Sequence, residues 1–361
     1  MRPTRRAVAA GLAALGLSPV ARLARADGEP AFVAARREPD GSFAAAVLDG
    51  DGRLLFSERL AGRGHDAAIA PGRRLAVLFA RRPGRFAVVL DLAGRRSAGA
   101  FAPPADRHFY GHGVFTPDGR LLYATENDFD AERGVLGVYD VAAGFRRIGE
   151  IDTHGIGPHE AILMADGRTI AVANGGIATH PDAPRMALNR STMEPSLAYL
   201  DAATGDLIDK ASLSPSLRQL SIRHIAEAAD GSIWFGGQYE GPATDPVDVV
   251  GRHRPGDAIG IVAAPDGLSS AMGRYVGSVA ASRDGLRIAT SAPRGRLVLV
   301  WDAETGDLLD RRRMADACGL APRFGGFLVS DGIGRLWQDR DPLAAHPGIA
   351  WDNHLAAIGP G

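Results

Sequence analysis

The stretch that decides the fold is HGVFTPDGRLLYATEN, residues 112–127. It contains two short apolar runs, GVFT and LLYA, separated by a segment that includes Pro117, Asp118 and Gly119. An Asp-Gly pair between two runs of this kind is a strong hairpin signal. The stretch therefore predicts two antiparallel strands joined by a tight turn, with a histidine at the start of the first strand.

The chain repeats this pattern of a histidine followed by a turn glycine. Copies occur as HDAAIAPG at 65–72, HIAEAADG at 224–231 and, with one extra residue, HEAILMADG at 159–167. The turn glycines of the whole series are Gly72, Gly119, Gly167, Gly231, Gly285, Gly332 and Gly361. Where nothing is inserted the period is about 47 residues, the length of a four-stranded propeller blade. The sequence thus predicts an all-β, seven-bladed β-propeller.

The two ends of the chain are expected to meet in one blade. Only three strands are evident between residues 31 and 58, and a blade needs four. The last eight residues, HLAAIGPG at 354–361, nearly copy HDAAIAPG. We expect this C-terminal strand to complete the N-terminal blade, which closes the ring and removes a free sheet edge.

Residues 1–26 have the composition of a signal peptide. They combine adjacent Arg5 and Arg6, a weakly apolar Ala/Gly/Leu run, and Ala24-Arg25-Ala26 as a cleavage signal. The twin arginines favour twin-arginine export to the periplasm, with general secretion as the alternative. Residues 27–361 then form a single propeller domain, with insertions expected at about 175–194 and 239–256.

Charge and cysteine content exclude several classes of function. The whole chain has a formal net charge of -1, and loss of the five arginines in residues 1–26 would leave -6. Nucleic acid is therefore not an expected partner. The single cysteine, Cys318, excludes an internal disulfide and a C-x-x-C-H haem attachment motif. No run is apolar and long enough to suggest a membrane span.

The repeat phase gathers five histidines at one mouth of the central channel. They are His65, His112, His159, His224 and His354, while Ser278 and Gly325 take the same place in the other two blades. Imidazole is the commonest metal ligand, so the ring predicts a site for a transition metal, iron or copper. The alternative is that each histidine forms a hydrogen bond within its own blade and has only a structural role.

The ends of the second strands lie at the same face and supply candidate ligand-binding residues. These are Glu126, Asn127, Asn174, Gln238 and Tyr239. Both predicted insertions leave second strands, so we expect them to rise over this mouth. Loops of this length in a compact domain are often functional.

Several segments together resemble one family of exported proteins. They are RHFYGHGVFTPDGRLLYATEND, HGIGPHE, VANGGIATHP, LNRSTMEPSLAYLD and LSIRHIA. The chain is identified by them as similar to the DUF1513 family of unknown function. The resemblance implies a seven-bladed propeller of the YVTN and quinoprotein-like type, related to WD40-like repeats. It also implies a periplasmic location beside imelysin-like partner proteins and a role in iron uptake.

A more distant resemblance is to the propeller lactonases, which carry a Gly-Pro-Arg-His motif before a similar hairpin. Here the motif is split, because Pro158-His159-Glu160 lacks the arginine and Arg223-His224 lacks the Gly-Pro. If the chain is a hydrolase, His159 or His224 would be the general base, Glu160 would orient it, and Arg223 would stabilise the oxyanion. A scaffold for partner proteins is the remaining alternative.

Overall fold

The structure is a computed structural model that describes residues 28–183 and 186–359. Its strands form seven antiparallel sheets arranged in chain order, which confirms the predicted all-β seven-bladed propeller. The predicted signal segment, residues 1–26, and the last two residues lie outside the described range. No helix in the described range is long and apolar enough to cross a membrane.

Each blade is a four-stranded meander, apart from the first, in which two C-terminal strands add to three N-terminal ones. The strands of blades one to four are β1 (Phe32–Arg37), β2 (Phe43–Leu48), β3 (Leu54–Leu60), β4 (Gly64–Ile69), β5 (Leu75–Ala80), β6 (Ala87–Asp91), β7 (Arg96–Phe101), β8 (Arg107–Phe115), β9 (Leu121–Asp128), β10 (Arg133–Asp140), β11 (Arg146–Asp152), β12 (Pro158–Leu163), β13 (Thr169–Asn174), β14 (Ser196–Asp201) and β15 (Leu207–Ser212).

The remaining strands build blades five to seven and close the first blade. They are β16 (Leu220–Glu227), β17 (Ile233–Tyr239), β18 (Val250–His253), β19 (Gly260–Ile261), β20 (Ser278–Ala281), β21 (Arg287–Ala292), β22 (Leu297–Asp302), β23 (Leu308–Arg313), β24 (Ala317–Arg323), β25 (Gly326–Asp331), β26 (Arg335–Gln338), β27 (Asp341–Ala345), β28 (Ala350–Trp351) and β29 (Ala356–Ala357). One short helix, α1 (Leu268–Ala271), and two 3₁₀ turns, Arg190–Thr192 and Pro215–Leu217, lie in connections.

The core lies between neighbouring blades, where apolar side chains of adjacent sheets pack face to face. Trp234 and Trp301 are among the largest side chains withdrawn completely from solvent. The middle strands of most blades are almost continuous apolar runs, such as LVLVWD in β22, because both of their faces contact a neighbouring blade. Outer strands such as β23 alternate between partly buried and exposed residues.

The ring closes as predicted, because both β28 and β29 pair with β1. The closing segment begins earlier than the predicted residue 354, since Arg36 and Arg37 pair with Trp351 and Ala350. The strand is interrupted at residues 352–355, and His354 lies in that interruption. The break frees the backbone around His354 from the sheet.

Two predicted details of the blades were wrong in their position. Gly332 was expected in the first turn of blade seven, but it follows β25 and lies in the second turn. Gly325 therefore lies in the hairpin between β24 and β25, and the channel position of this blade belongs to β24. The strands and turns of blade seven are short, and an Asp-Gly turn signal does not indicate which of two turns it forms. The sequence therefore placed this turn wrongly.

The two predicted insertions correspond to the connections that follow β13 and β17. The first connection spans residues 175–195, and several of its side chains are buried, including Ile177 and Met193. The second spans residues 240–249, because β18 already begins at Val250. The third strand of blade five thus occupies part of the segment 239–256 that was predicted as an insertion.

We expect truncation after residue 349 to abolish stable folding. It removes the strands that close the ring and three buried side chains, Trp351, Leu355 and Ile358. Each loss of a large buried side chain costs about 2–5 kcal/mol, against a typical total stability of about 5–15 kcal/mol. Thermal denaturation of this variant should show no cooperative transition at the wild-type temperature.

The control is a chain that ends at residue 359 and keeps both closing strands. It should unfold at the wild-type midpoint. An unchanged midpoint in the shorter variant would disprove ring closure as a source of stability.

Candidate functional site

The histidines lie on the innermost strands, at places where those strands are irregular. In β4, β8, β12 and β16 the register with the second strand shifts, leaving extra residues beside the histidine. His354 occupies the equivalent break between β28 and β29. A bulge bends a strand and re-aims a side chain. The irregularities therefore account for five side chains that leave their own blades and meet in the channel.

The five imidazoles form one compact cluster. The ring centroids of His112 and the other four rings are 4.8–5.6 Å apart, with His354 the nearest and His224 the farthest. The ring centroids of His65 and His354 are 4.4 Å apart, and those of His65 and His224 are 6.3 Å apart. If the five side chains lay in one plane around a circle, the centroids of non-neighbouring imidazoles would be much farther apart. The five imidazoles therefore do not lie in one plane.

The sequence predicts the histidines at an open mouth of the channel. In the structure the cluster lies deeper, inside the channel. The exposed fraction of His65, His112, His224 and His354 is at most 6%. His159 is partly buried, and its Nδ1 atom is inaccessible to solvent. The repeat phase predicted that these histidines share one region of the channel, but it does not predict how deeply they are buried.

Three histidines are oriented by carboxylates from the preceding blade. Nδ1 of His65 is 3.0 Å from Asp352, and Nδ1 of His112 is 3.1 Å from Asp66. Nδ1 of His224 is 3.2 Å from Glu160. The partners come from the neighbouring blade, so the alternative in which each histidine bonds within its own blade does not describe these three. With the proton on Nδ1, each Nε2 presents a lone pair.

Other ring nitrogens of the cluster have no hydrogen-bond partner among the residues that the structure describes. They include Nε2 of His112, Nε2 of His354 and Nδ1 of His159, all withdrawn from solvent. A buried polar atom without a partner costs about 1–3 kcal/mol. The position after His112 is Gly113, which explains why the next histidine along the ring, His159, has no carboxylate at Nδ1.

Burial controls the charge state of the cluster. It lowers the pKa of four rings well below the usual histidine value, and neighbouring cations add to the effect: His65, His159, His224 and His354. For His112 burial also acts to lower the pKa, but the charges of Glu160 and Asp66 outweigh it and raise the pKa. Neutral imidazole, the form that binds metal ions, is therefore the favoured state of four rings.

The two carboxyl groups nearest to His112 differ in the direction of their pKa shifts. Burial raises the pKa of Glu160 to about 7, with the charge of His112 opposing and that of Asp66 adding to this shift. For Asp66, burial acts to raise the pKa, but the hydrogen bond from His112 and the charge of His354 outweigh it and lower the pKa. Asp66, His112 and Glu160 form a second group with metal-ligand spacing.

Two blades contribute small residues where the other five contribute histidine. Blade six presents Ser278, and blade seven presents Gly319, where a Cβ atom would lie 2.7 Å from the carbonyl carbon of His354. In a ring of seven, these blades lie opposite blade three, which carries His112. The cluster therefore has no histidine on the side away from His112, where the backbone of His354 packs closely against Gly319.

The cluster separates two cavities along the channel. On the face where the innermost strands end, a funnel of about 380 Å³ is lined by six blades and includes Asp66, Glu160 and His354. On the opposite face, a cavity of about 10 Å³ lies between His159, Arg82 and Arg223. Larger cavities of about 550 and 460 Å³ contain none of the five cluster histidines.

The predicted ligand-binding residues at the second-strand ends have partners within the protein. Glu126 accepts hydrogen bonds from Tyr139 and Arg147, and Asn127 donates to Thr179. Asn174 donates to Thr153, Gln238 donates to Glu240, and Tyr239 donates to Asp245. The structure does not gather these five residues around one cavity, so their predicted role in binding a ligand stays a prediction.

The residues of the hydrolase alternative are divided between the two cavities. His159 and Arg223 line the small cavity, whereas Glu160 lines the funnel. Glu160 does contact Nδ1 of His224 as an orienting carboxylate would. The small cavity has room for about one water molecule, so a lactone could not contact both His159 and Arg223 in this arrangement. Lactone hydrolysis stays an untested alternative.

Sequence reasoning missed Asp352, Arg82 and Tyr110. Asp352 orients His65 and also accepts hydrogen bonds from Arg63 and Arg81. Its place two residues before His354 was a usable signal, because Asp66 and Glu160 are also close to cluster histidines in sequence. Arg82 and Tyr110 gave no signal, since neither belongs to the repeated pattern.

Comparisons with known proteins agree with the fold. The family model described as "Protein of unknown function (DUF1513)" matches residues 58–358. No curated protein matches the sequence. Among solved structures, the chain is similar to Kuenenia stuttgartiensis hydrazine synthase with a TM-score of 0.60 and 13% identity, covering 88% of this chain and 96% of that one. At this identity the likeness concerns the fold alone.

We predict that Gly111→Ala displaces the ring of His65. Gly111 has a φ of 112°, and a Cβ atom there would lie 2.5 Å from Cδ2 of His65. Overpacking of this kind costs about 1–3 kcal/mol, in addition to the backbone strain. The free energy of unfolding, measured by chemical denaturation, should fall accordingly.

Gly99→Ala is the matched control. Gly99 has a φ of 139° but faces open space, so the substitution introduces backbone strain without a clash. Equal losses in the two variants would show that His65 is not in tight contact with residue 111.

Proposed function

The chain belongs to the DUF1513 family of proteins of unknown function, and for it we propose the binding of one first-row transition-metal ion by the five-histidine cluster. The observation that carries the proposal is the convergence of five imidazoles, four buried and one partly buried, of which three have a ring nitrogen without a hydrogen-bond partner among the described residues. Two groups of three histidines, one with His65 and His159 and one with His224 and His354, share His112 and have the spacing of metal ligands.

The arrangement of the rings supports a six-coordinate ion with one open position. With metal–nitrogen bonds of about 2.1 Å, adjacent imidazole centroids would lie about 4.6 Å apart and opposite ones about 6.5 Å apart. Around the square of His65, His354, His224 and His159, the centroids of neighbouring rings are 4.4, 4.6, 4.7 and 5.9 Å apart. The opposite rings of His65 and His224 are 6.3 Å apart.

His112 completes this arrangement as the apex of a square pyramid, since its ring is 4.8–5.6 Å from those of the other four. The sixth position then lies opposite His112, toward the blades that contribute Ser278 and Gly319. Neither of those two blades supplies a histidine, so water or another small ligand would have to take this position.

The carboxylates support the same proposal. A histidine that binds a metal usually donates its other N–H to a carboxylate or carbonyl, which fixes the tautomer and raises ligand basicity. Asp352, Asp66 and Glu160 occupy this place for His65, His112 and His224. Asp66 and Glu160 also reach the funnel, where their charge would attract a cation toward the cluster.

The donor set favours some metals over others. Imidazole suits iron, copper, nickel and zinc. Zinc in structural sites is almost always four-coordinate, so five nitrogens favour an ion that accepts six ligands. Iron(II) is our first candidate, and copper(II) is the second.

We predict one tightly bound iron(II) per chain after anaerobic reconstitution of metal-free protein, measured by elemental analysis and competition titration. His112→Ala should weaken the affinity by more than about 100-fold, since it removes a direct ligand. Asp66→Asn should weaken it by about 10–100-fold, as expected for an orienting carboxylate. The double variant His112→Ala/His224→Ala should bind little worse than the single variants, because residues of one site are not additive.

His253→Ala is the matched control for loss of a buried histidine. His253 is 2% exposed and pairs with Tyr199, outside the cluster. It should retain iron binding even where its stability falls. If the double variant binds iron as tightly as the wild type and its stability losses are additive, the histidines have only a structural role.

We extend the proposal to a periplasmic role in iron acquisition, with imelysin-like proteins as partners. The twin arginines of the first segment and the family resemblance support this extension. Cell fractionation of the full chain should recover it in the periplasm, starting near residue 27, and Arg5→Lys/Arg6→Lys should block its export. Cytoplasmic protein that retains Met1 would contradict the extension but would leave the metal site untouched.

A further inference from the structure

A second group of polar side chains converges on the small cavity beside the histidine cluster. The cavity has a volume of about 10 Å³, and its lining includes Arg82, Arg223, Tyr110 and Ser221. All four can donate hydrogen bonds, and no aspartate or glutamate lines the cavity. The lining is therefore positively charged, although most of it is withdrawn from water.

Arg223 is the central member of this group. Its exposed fraction is 8%, and its Nε atom is buried without a hydrogen-bond partner. Its ion-pair contact, with Glu240, is long at 3.9 Å. Glu240 also accepts a hydrogen bond from Gln238 and contacts Arg190. A buried charge is costly unless it is paired, so Arg223 lacks an adequate counter-charge.

Arg82 adds a second positive charge beside Arg223, which favours the binding of an anion. Arg82 forms no hydrogen bond or ion pair with the described part of the chain. Burial, followed by the charge of Arg82, lowers the pKa of Arg223 to about 10. Arg223 nevertheless remains protonated at neutral pH, so two guanidinium groups share one enclosed space.

The neutral donors complete the site. The hydroxyl of Tyr110 is 3.4 Å from Oγ1 of Thr179, a long contact that leaves its proton available. Ser221 is 1% exposed, and its hydroxyl makes no hydrogen bond within the described residues. Gly175 keeps the space open, since a Cβ atom there would lie 2.7 Å from Oγ of Ser221.

We propose that this cavity is a binding site for a single halide-sized monovalent anion, held by Arg82, Arg223 and the hydroxyl groups of Tyr110 and Ser221. The volume is at the lower limit for one water-sized occupant, which excludes phosphate and sulfate, and a halide ion would enter only with an outward shift of Arg82, which is partly exposed. The proposal does not depend on metal binding, because all four residues lie outside the histidine cluster.

The test uses metal-free protein and replaces gluconate by chloride at constant ionic strength. A ligand that binds the native state raises the midpoint of thermal unfolding with its concentration. We expect this rise for the wild type, and at least about a tenfold higher chloride dissociation constant for Arg223→Gln, which loses a charged donor. Crystals soaked in bromide should show anomalous density between Arg82 and Arg223.

Two further variants keep the test decisive if Arg223→Gln does not fold. Gly175→Ala fills the cavity while every charge remains, and it should abolish the chloride response. Arg190→Gln alters an arginine that is 60% exposed and also contacts Glu240, and it should respond as the wild type does. The proposal is overturned if chloride has no effect on the wild type, if bromide lies elsewhere, if Arg190→Gln loses the response equally, or if phosphate stabilises where chloride does not.

Discussion

The close packing of five imidazole rings, four of them buried, is the constraint on which the centre of this propeller depends. Ring centroids are as close as 4.4 Å, so several protonated rings would repel one another strongly. Most of the rings must therefore be neutral. Burial enforces this state for four of them. Only His112, which has carboxylates on two sides, is biased toward protonation. The cluster thus carries few positive charges of its own, which is compatible with the binding of a cation proposed above.

The charges around the cluster are arranged along the channel axis. Asp66 and Glu160 face the funnel at one end, while Arg82 and Arg223 close the other. Asp352 joins the two regions, because it contacts both His65 and the arginines at positions 63 and 81. A cation would therefore approach from the funnel, and an anion would be retained at the opposite end. The proposed anion site lies at the positively charged end, and the proposed metal site lies between that end and the carboxylates of the funnel.

Sequence patterns that act within a few residues were sufficient to predict the blade architecture. The geometry of the histidine cluster depends on contacts between residues far apart in sequence, which those patterns do not predict. The hairpin between Phe115 and Leu121 follows from turn chemistry and apolar runs, which act within a few residues. The position of blade seven did not follow, because Gly332 could occupy either of two turns. The set of histidines followed from the repeat, but the pairing of His65 with Asp352 joins residues 287 apart in sequence. The bulges that aim the rings depend on register with a partner strand, which a periodic pattern does not reveal.

The fold itself does not need histidine at these positions. Blades six and seven hold Ser278 and Gly319 at the channel and are otherwise complete four-stranded sheets. A small residue would therefore serve the architecture in the other five blades as well. Histidine there instead leaves buried nitrogens on His112, His159 and His354 without partners, and each costs about 1–3 kcal/mol. A fold that accepts small residues at this position gains no stability from that cost unless a ligand binds the nitrogens, and the proposed metal ion would be such a ligand.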